Sequence, residues 1–334
     1  MAYNGAVLAR ARERLAERRE QNAGLQQQRL NRVYALFPRV AEIDEELRRQ
    51  MAALASLTFS RDPGAGARID ALRNDNLALQ AERAGILGRA GLGADYTDEI
   101  YSCPICHDTG YNGAEMCDCL RREYKAELTR ELSGLLKDGG ESFDGFRLDY
   151  YSTAPDAVTG VSPREVMSLT YDYCREYAKK FSRSSPSLIF RGGPGLGKTF
   201  LSACIARDVS ARGFSVAYES APAALGEFET QRFSRDPEEA GAAAAKVREY
   251  LNCDLMILDD LGTEMTTSFT VSALYQLVNT RLTESRQTII STNLDDGEIL
   301  RRYGGQVASR LSGEFELLSF AGSDIRRLRK EQSL

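Results

Sequence analysis

Two stretches of this 334-residue chain place particular residue types at spacings that phosphate chemistry requires. The first is Gly192-Gly-Pro-Gly-Leu-Gly197-Lys198-Thr199, which satisfies G-x-x-x-x-G-K-[ST] at every fixed position. Glycines at these intervals let successive backbone N–H groups turn inward around phosphate oxygens, at a helix N-terminus whose dipole favours negative charge. The predicted nucleotide-binding residues are Gly192, Gly193, Pro194, Gly195, Leu196, Gly197, Lys198, Thr199 and Phe200. Lys198 would reach the β- and γ-phosphates, and the Thr199 hydroxyl would ligate Mg²⁺. The second stretch, Leu255-Met-Ile-Leu258-Asp259-Asp260, reads as a buried strand ending in two carboxylates. Asp259 would hold the magnesium, directly or through water, and Asp260 would orient and deprotonate the attacking water. Asn293 closes a further apolar run, Gln287–Asn293. There it senses the γ-phosphate or positions the attacking water, or else forms the turn before Asp295-Asp296-Gly297.

A third constellation is a cysteine cluster. Cys103, Cys106, Cys117 and Cys119 are spaced C-x₂-C-x₁₀-C-x-C, two close pairs with Gly110 and Gly113 between them. Four thiolates so arranged can close a tetrahedral Zn²⁺ site with no open position. An iron–sulfur centre or redox-active thiols are the alternatives, and His107, the single histidine, could replace one ligand. Cys174, Cys204 and Cys253 fall in helical or strand contexts and read as core thiols.

These groups need elements to position them. Residues 6–36 read as one long helix rich in Arg, Glu, Gln and Ala, which Pro38 ends while opening the next. That second helix repeats Val40, Ile43, Leu47, Met51 and Leu54 at three- to four-residue steps. Asp62-Pro-Gly-Ala-Gly is a loop, and a third helix covers about Arg68–Gly88, giving a helical hairpin or small bundle. Ser133–Glu141, with Gly134, Gly139 and Gly140, reads as a linker, followed by an aromatic segment, Phe143–Tyr151, that either packs near a base or fills the core. Ser162-Pro163-Arg-Glu165 is a capping box, and Val166, Leu169, Tyr173, Tyr177 and Phe181 are the expected core face of its helix. Beyond it, apolar runs at 187–190, 215–218, 255–258, 288–291 and 315–320 alternate with helical stretches. That pattern is an α/β domain with a five-stranded parallel sheet flanked by helices. The expected divisions are 1–95, a helical arm; 96–132, a zinc knuckle; 133–161, the linker and aromatic segment; and 162–334, the nucleotide domain.

Composition narrows the classes further. Apolar residues make up 43% and charged residues 27%, ordinary for a globular chain, and no run approaches the ~20 apolar residues of a membrane span. The start, Met1-Ala-Tyr-Asn-Gly-Ala-Val-Leu, lacks the charged and long apolar stretches of a signal peptide, so a cytoplasmic location and no membrane partner are expected. A net charge of −5 excludes general coating of nucleic acid and leaves a local groove or pore.

Together the Gly192–Thr199 loop, Leu255–Gly262, Ser291-Thr292-Asn293, Val307-Ala-Ser-Arg310-Leu and Gly322-Ser-Asp-Ile-Arg326 resemble the AAA+ P-loop ATPases, specifically the DnaC/DnaI/IstB-like branch. The resemblance covers roughly 140–334. It implies that Asn293 is the first sensor, Arg326 the second (with Arg327 the weaker candidate), and Arg310 an arginine finger that reaches the nucleotide of the next subunit. Self-association would then complete the ATPase site. Asp260 stands where many AAA+ proteins have Glu. The cysteine cluster is similar to that of DnaI-type helicase loaders. By that likeness residues 1–95 would dock on the hexameric replicative helicase, the ATPase domains would bind single-stranded DNA, and hydrolysis would release the client. The IstB-like resemblance implies an alternative, a transposition or phage DNA-targeting ATPase. A nucleotide-switched adaptor with little turnover is a third reading. A bacterial, phage or mobile-element origin fits each of them.

Overall fold

The alternation expected beyond residue 160 is present in the computed structural model, which describes residues 5–58, 65–135, 141–157 and 159–327. Asp62, Pro63 and Gly64 of the expected loop, and Gly139 and Gly140 of the expected linker, lie outside the described residues. The chain divides into two compact units. One is Ala9–Glu123, and the other combines Met1–Leu8 with Tyr124–Leu334.

The Ala9–Glu123 unit is built on α1 (Gly5–Leu36), α2 (Pro38–Thr58) and α3 (Ala65–Arg89). Val33, Val40 and Leu87 are buried together, with Phe37, Ile86 and Tyr96 packed around them. Charge pairs tie α2 to α3: Arg39 Nε donates to Glu82 at 2.8 Å and Arg83 Nε to Asp44 at 2.7 Å. A two-residue hairpin follows, β1 (Tyr111–Asn112) antiparallel to β2 (Glu115–Met116), with Gly113 at φ 60° supplying the left-handed turn position. Then α4 runs from Asp118 to Leu135. Ser133 and Gly134 therefore belong to a helix rather than to the expected linker. α4 has already passed its cysteine-anchored first turn and continues through them.

In the second unit α5 (Pro163–Lys180) opens on the expected capping box, Ser162 and Glu165 each bonding the other's backbone N–H. Tyr177 and Phe181 of the expected core face are buried, but earlier in the helix Met167, Thr170 and Cys174 are buried in place of Val166, Leu169 and Tyr173, and Leu169 is 72% exposed. There the stripe runs one position later because Thr170 and Cys174 are small enough to lie against the sheet, and Thr170 Oγ1 donates to the Ser319 carbonyl at 2.9 Å.

The sheet itself is β3 (Ser187–Arg191), β4 (Val216–Ser220), β5 (Leu255–Leu261), β6 (Gln287–Thr292) and β7 (Phe315–Ser319), in spatial order β4-β5-β6-β3-β7, all parallel. Alternation along each strand feeds two cores. Leu188, Phe190, Ile257 and Ile289 face α5 and α6 (Lys198–Ala211). Ile189, Met256, Leu258 and Ile290 face α7 (Ala221–Phe233), α8 (Pro237–Asn252), α9 (Ser268–Thr283) and α10 (Asp296–Glu314). The crossover order puts β3 between β6 and β7, so the turn after β3 opens beside the ends of β5 and β6, where ligands of open α/β sheets bind.

Candidate nucleotide site

The turn between β3 and α6 is the glycine-rich segment. Gly195 has φ 70°, and a Cβ there would stand 1.8 Å from Asp324 Oδ1. Gly197, at φ 92°, is the N-cap of α6, where a Cβ would stand 3.0 Å from the Tyr151 hydroxyl. Only glycine admits both the left-handed backbone and these neighbours. Tyr151 OH donates to the Leu196 carbonyl at 2.9 Å, and Ile325 N donates to the Gly195 carbonyl at 3.0 Å. The loop is thus braced by the aromatic segment on one side and by the chain after β7 on the other.

Lys198 is 5% exposed, and its ammonium donates to the carbonyls of Gly192 (2.7 Å) and Gly193 (2.8 Å) and to Asn293 Oδ1 (2.6 Å). Burial pulls its pKa down, and Asp260 and Asp259 oppose that shift. Asn293 is therefore brought onto the P-loop lysine itself.

Asp259 sits at the end of β5, 6% exposed. Its Oδ2 accepts from Thr199 Oγ1 at 2.9 Å and from Tyr218 OH at 2.9 Å, and its Oδ1 accepts from Ser291 Oγ. Burial and the Asp259 charge raise the Tyr218 pKa, so the phenol stays a donor. A regular strand would send Asp259 and Asp260 to opposite faces. Here the β5–β6 register shifts between Leu258 and Leu261, and Asp260 takes φ 55°. That left-handed conformation, rare outside glycine, turns Asp260 onto the wall of the cavity beside the glycine-rich loop. Its backbone N–H donates to Ser291 Oγ at 2.9 Å. Burial first and the Asp259 charge second push the Asp260 carboxyl up, while Lys198 and Arg326 pull it back. A carboxylate of raised basicity beside a bound phosphate is suited to take a proton from water.

The cavity has a volume of about 320 Å³. It is lined by Lys198, Thr199, Asp260 and Asn293 and by the aromatic side chains of Phe146, Tyr150, Tyr151 and Phe200. Phe146 stacks on Tyr151 at 5.8 Å and on Tyr171 at 5.3 Å. Arg326 lines the cavity; Arg310 does not. Arg310, on α10, donates to Asn279 Oδ1 at 2.9 Å and lies 4.7 Å over the Tyr275 ring. Arg327 N donates to the Asp324 carbonyl at 3.1 Å, and Arg327 is likewise no part of the wall.

The four cysteines converge in the other unit. Their Sγ atoms all lie within 4.8 Å of one another, Cys103 to Cys117 at 3.8 Å and Cys106 to Cys119 at 3.3 Å, each residue 6% exposed. Four metal–sulfur bonds of ~2.3 Å in a tetrahedron space their sulfurs about 3.8 Å apart, so the donor set fits one zinc ion. Asp108 holds the first loop, accepting from the backbone N–H groups of Cys103 and Ser102 at 2.8 Å each and from Asn22 Nδ2 at 3.0 Å. His107 is exposed and stacks on Tyr101 at 4.3 Å, outside the donor set, so it does not replace a cysteine.

Three functional-site residues carry little sequence signal. Tyr218 and Ser291 sit inside apolar strand runs and only the sheet order brings them to Asp259, while Tyr151 sits inside an aromatic segment that packs on the loop at Leu196. Arg281, on α9, is fully buried. It donates to the carbonyls of Tyr250 (2.6 Å), Cys253 (3.1 Å) and Gln287 (2.6 Å) and to Thr288 Oγ1 (2.9 Å), joining α9 to α8 and β6.

Fold and site together define a P-loop nucleotide-binding α/β domain. Residues 159–309, which hold the glycine-rich loop, both aspartates and Asn293, match the family described as IstB-like ATP binding protein. Among curated proteins, the replicative helicase loader DnaC of Escherichia coli strain K12 is 28% identical over 138 residues, 41% of this chain and 54% of that one. DnaC of Buchnera aphidicola subsp. Baizongia pistaciae is 24% identical over 137 residues, again 41% and 54%. The chain spans about half the length of the curated relatives it matches. Among solved structures, the DnaC helicase loader is 19% identical with TM-score 0.44, covering 54% of this chain and 97% of that one. DnaI is 16% identical with TM-score 0.42, covering 58% and 92%. The segment 159–309 is thus similar to IstB-like ATP binding proteins.

Proposed function

We propose that this protein is an ATP-dependent loader of a replicative DNA helicase, as its curated relatives are named. The observation that carries the reading is that Lys198, Thr199, Asp260 and Asn293 line one cavity and Asp259 accepts from Thr199 on its wall, inside the segment matched to ATP-binding proteins. In this reading the N–H groups of Gly193–Thr199 surround the phosphates and Lys198 gives up Asn293 for the β- and γ-oxygens. Thr199 and Asp259 fit Mg²⁺, a hydroxyl and a carboxylate 2.9 Å apart, and the ion would neutralise charge developing on the leaving oxygen. Asp260 accepts the proton of the attacking water, Asn293 positions that water, and Arg326 meets the γ-phosphate from the same chain. Arg310, away from its own cavity, reaches the site of a neighbouring copy, so self-association completes the machinery. The arm, residues 1–95, grips the helicase hexamer; the cysteines hold zinc; and the assembled ATPase domains bind single-stranded DNA in the bacterial cytoplasm.

The test is capture of partners by the tagged full chain and by a chain deleted through residue 123, where the first structural unit ends. Replicative helicase recovered by the former and lost by the latter supports the loader. The family match favours a second reading, a transposition ATPase, and recovery of a transposase would select it. Asp260→Asn should slow hydrolysis about 10²–10⁴-fold while leaving nucleotide bound. Unchanged partner release in that variant would identify a nucleotide-switched adaptor instead.

A further inference from the structure

Asp259 is gripped from both sides of its strand. Tyr218 reaches it from β4 and Ser291 from β6, the two strands that pair with β5, while Thr199 comes from α6. The Ser291 hydroxyl has one proton, which it gives to Asp259 Oδ1, and its lone pair takes the Asp260 N–H at 2.9 Å. One serine therefore links the two carboxylates, and it does so fully buried. The Tyr218 phenol, entering between sheet and α6, donates to the same oxygen as Thr199. Neither residue is among those that line the cavity.

We propose that Tyr218 and Ser291 are positioning residues for the divalent cation: they fix the rotamer of Asp259 so that its carboxylate faces the metal when Thr199 turns its oxygen to the ion. The inference rests on the nucleotide and Mg²⁺ reading above. Its physical basis is that a carboxylate ligand with two fixed hydroxyl donors loses little rotamer freedom on meeting the cation, whereas an unbraced one must be ordered at that moment. Outer-shell partners of metal ligands characteristically change metal affinity about 10–100-fold. Ser291 adds a second consequence. By holding the Asp260 N–H, it couples the left-handed turn of Asp260 to the orientation of Asp259, so the metal ligand and the base are set by one hydroxyl.

The experiment uses the full chain, a fluorescent ADP analogue and a Mg²⁺ titration, reading nucleotide affinity with and without the metal. Tyr218→Phe keeps the ring and removes only the donor. It should raise the half-saturating Mg²⁺ about 10-fold and leave metal-free nucleotide affinity within twofold of wild type. Ser291→Ala should raise it at least as much, and Ser291→Thr, which keeps the hydroxyl, should restore it. A purely structural role would weaken metal-free and metal-loaded binding alike, and that result overturns the proposal. So does a Tyr218→Phe chain whose Mg²⁺ dependence matches wild type. Should Ser291→Ala not fold, Tyr218→Phe decides alone. A wild-type chain that binds nucleotide with no Mg²⁺ dependence overturns this inference together with the metal reading beneath it. Normal dependence in wild type with no change in the variants overturns this inference only.

Discussion

Behind the nucleotide site, apolar side chains fill both faces of the sheet: Ile257 and Ile289 on one, Met256 and Ile290 on the other, all fully buried. The helical unit has a different foundation. One of its apolar clusters is only Val33, Val40 and Leu87, its charges pair across α2 and α3, and its cysteines stand ready for a metal. The sheet domain can lose one side chain and keep its layers, because each strand is covered on two faces. A long-helix unit with narrow apolar stripes lacks that redundancy, and small cores of this kind are commonly completed by a metal.

The largest expected effect follows from that contrast. Structural zinc contributes about 10–16 kcal/mol of apparent binding energy in small zinc-folded peptides, more than a thin core can replace. Chelation, or Cys103→Ser, should open Ala9–Glu123 to proteolysis and abolish its cooperative unfolding, with one zinc per chain lost by elemental analysis. Nucleotide binding by the sheet domain should survive. A unit that stays protease-resistant after chelation would break the comparison.

Next in size is Lys198→Ala. The lysine holds Gly192, Gly193 and Asn293 at one point, and its loss should weaken ATP binding and hydrolysis about 10²–10³-fold. Because its burial is opposed only by carbonyls and two nearby aspartates, the nucleotide-free protein should unfold no earlier than wild type by calorimetry. An earlier transition would mean the lysine is a structural strut as well as a ligand.

Arg281→Met sharpens the same contrast from inside the sheet domain. Methionine fills the volume but leaves the Tyr250, Cys253 and Gln287 carbonyls without their donor. We expect a loss of about 3 kcal/mol in denaturant unfolding, with the nucleotide site intact. An unchanged midpoint would show that the buried charge costs as much as its hydrogen bonds return.

These residues also mark what was readable in advance. The five strands, the capping box at Ser162 and the P-loop were legible because each is a local code: alternation, a Ser-x-x-Glu spacing, glycines before Lys-Thr. On α5, Tyr177 and Phe181 are legible as core, but Leu169 looks more apolar than Thr170 although tertiary packing buries the threonine. Asp260's turn, Tyr218, Ser291 and Arg281 were illegible for a different reason. Their roles arise where β4, β5 and β6 meet, and the spatial order of strands is written in no short segment. The asymmetry also holds for the arginines: Arg326 is found in the cavity, while Arg310 packs on Tyr275 away from it, a separation that only three dimensions display.

The smallest effect is expected at the surface of the helical unit, and it tests whether charge rather than burial secures α2 against α3. Arg39 donates to both oxygens of Glu82, at 2.8 and 3.1 Å, yet the side chains are 47% and 43% exposed. Those hydrogen bonds hold the Glu82 carboxyl below its usual range. A depressed carboxyl adds stability that is present above the unfolded value, near pH 4.3, and is lost as pH falls through the folded one. Glu82→Gln should therefore lower the unfolding midpoint slightly at neutral pH and low salt. The difference should vanish in ~1 M salt, where screening reaches about 3 Å, and again in acid. A large loss that persists in high salt would place α2–α3 cohesion in this pair. The cluster of Val33, Val40 and Leu87 would then be secondary.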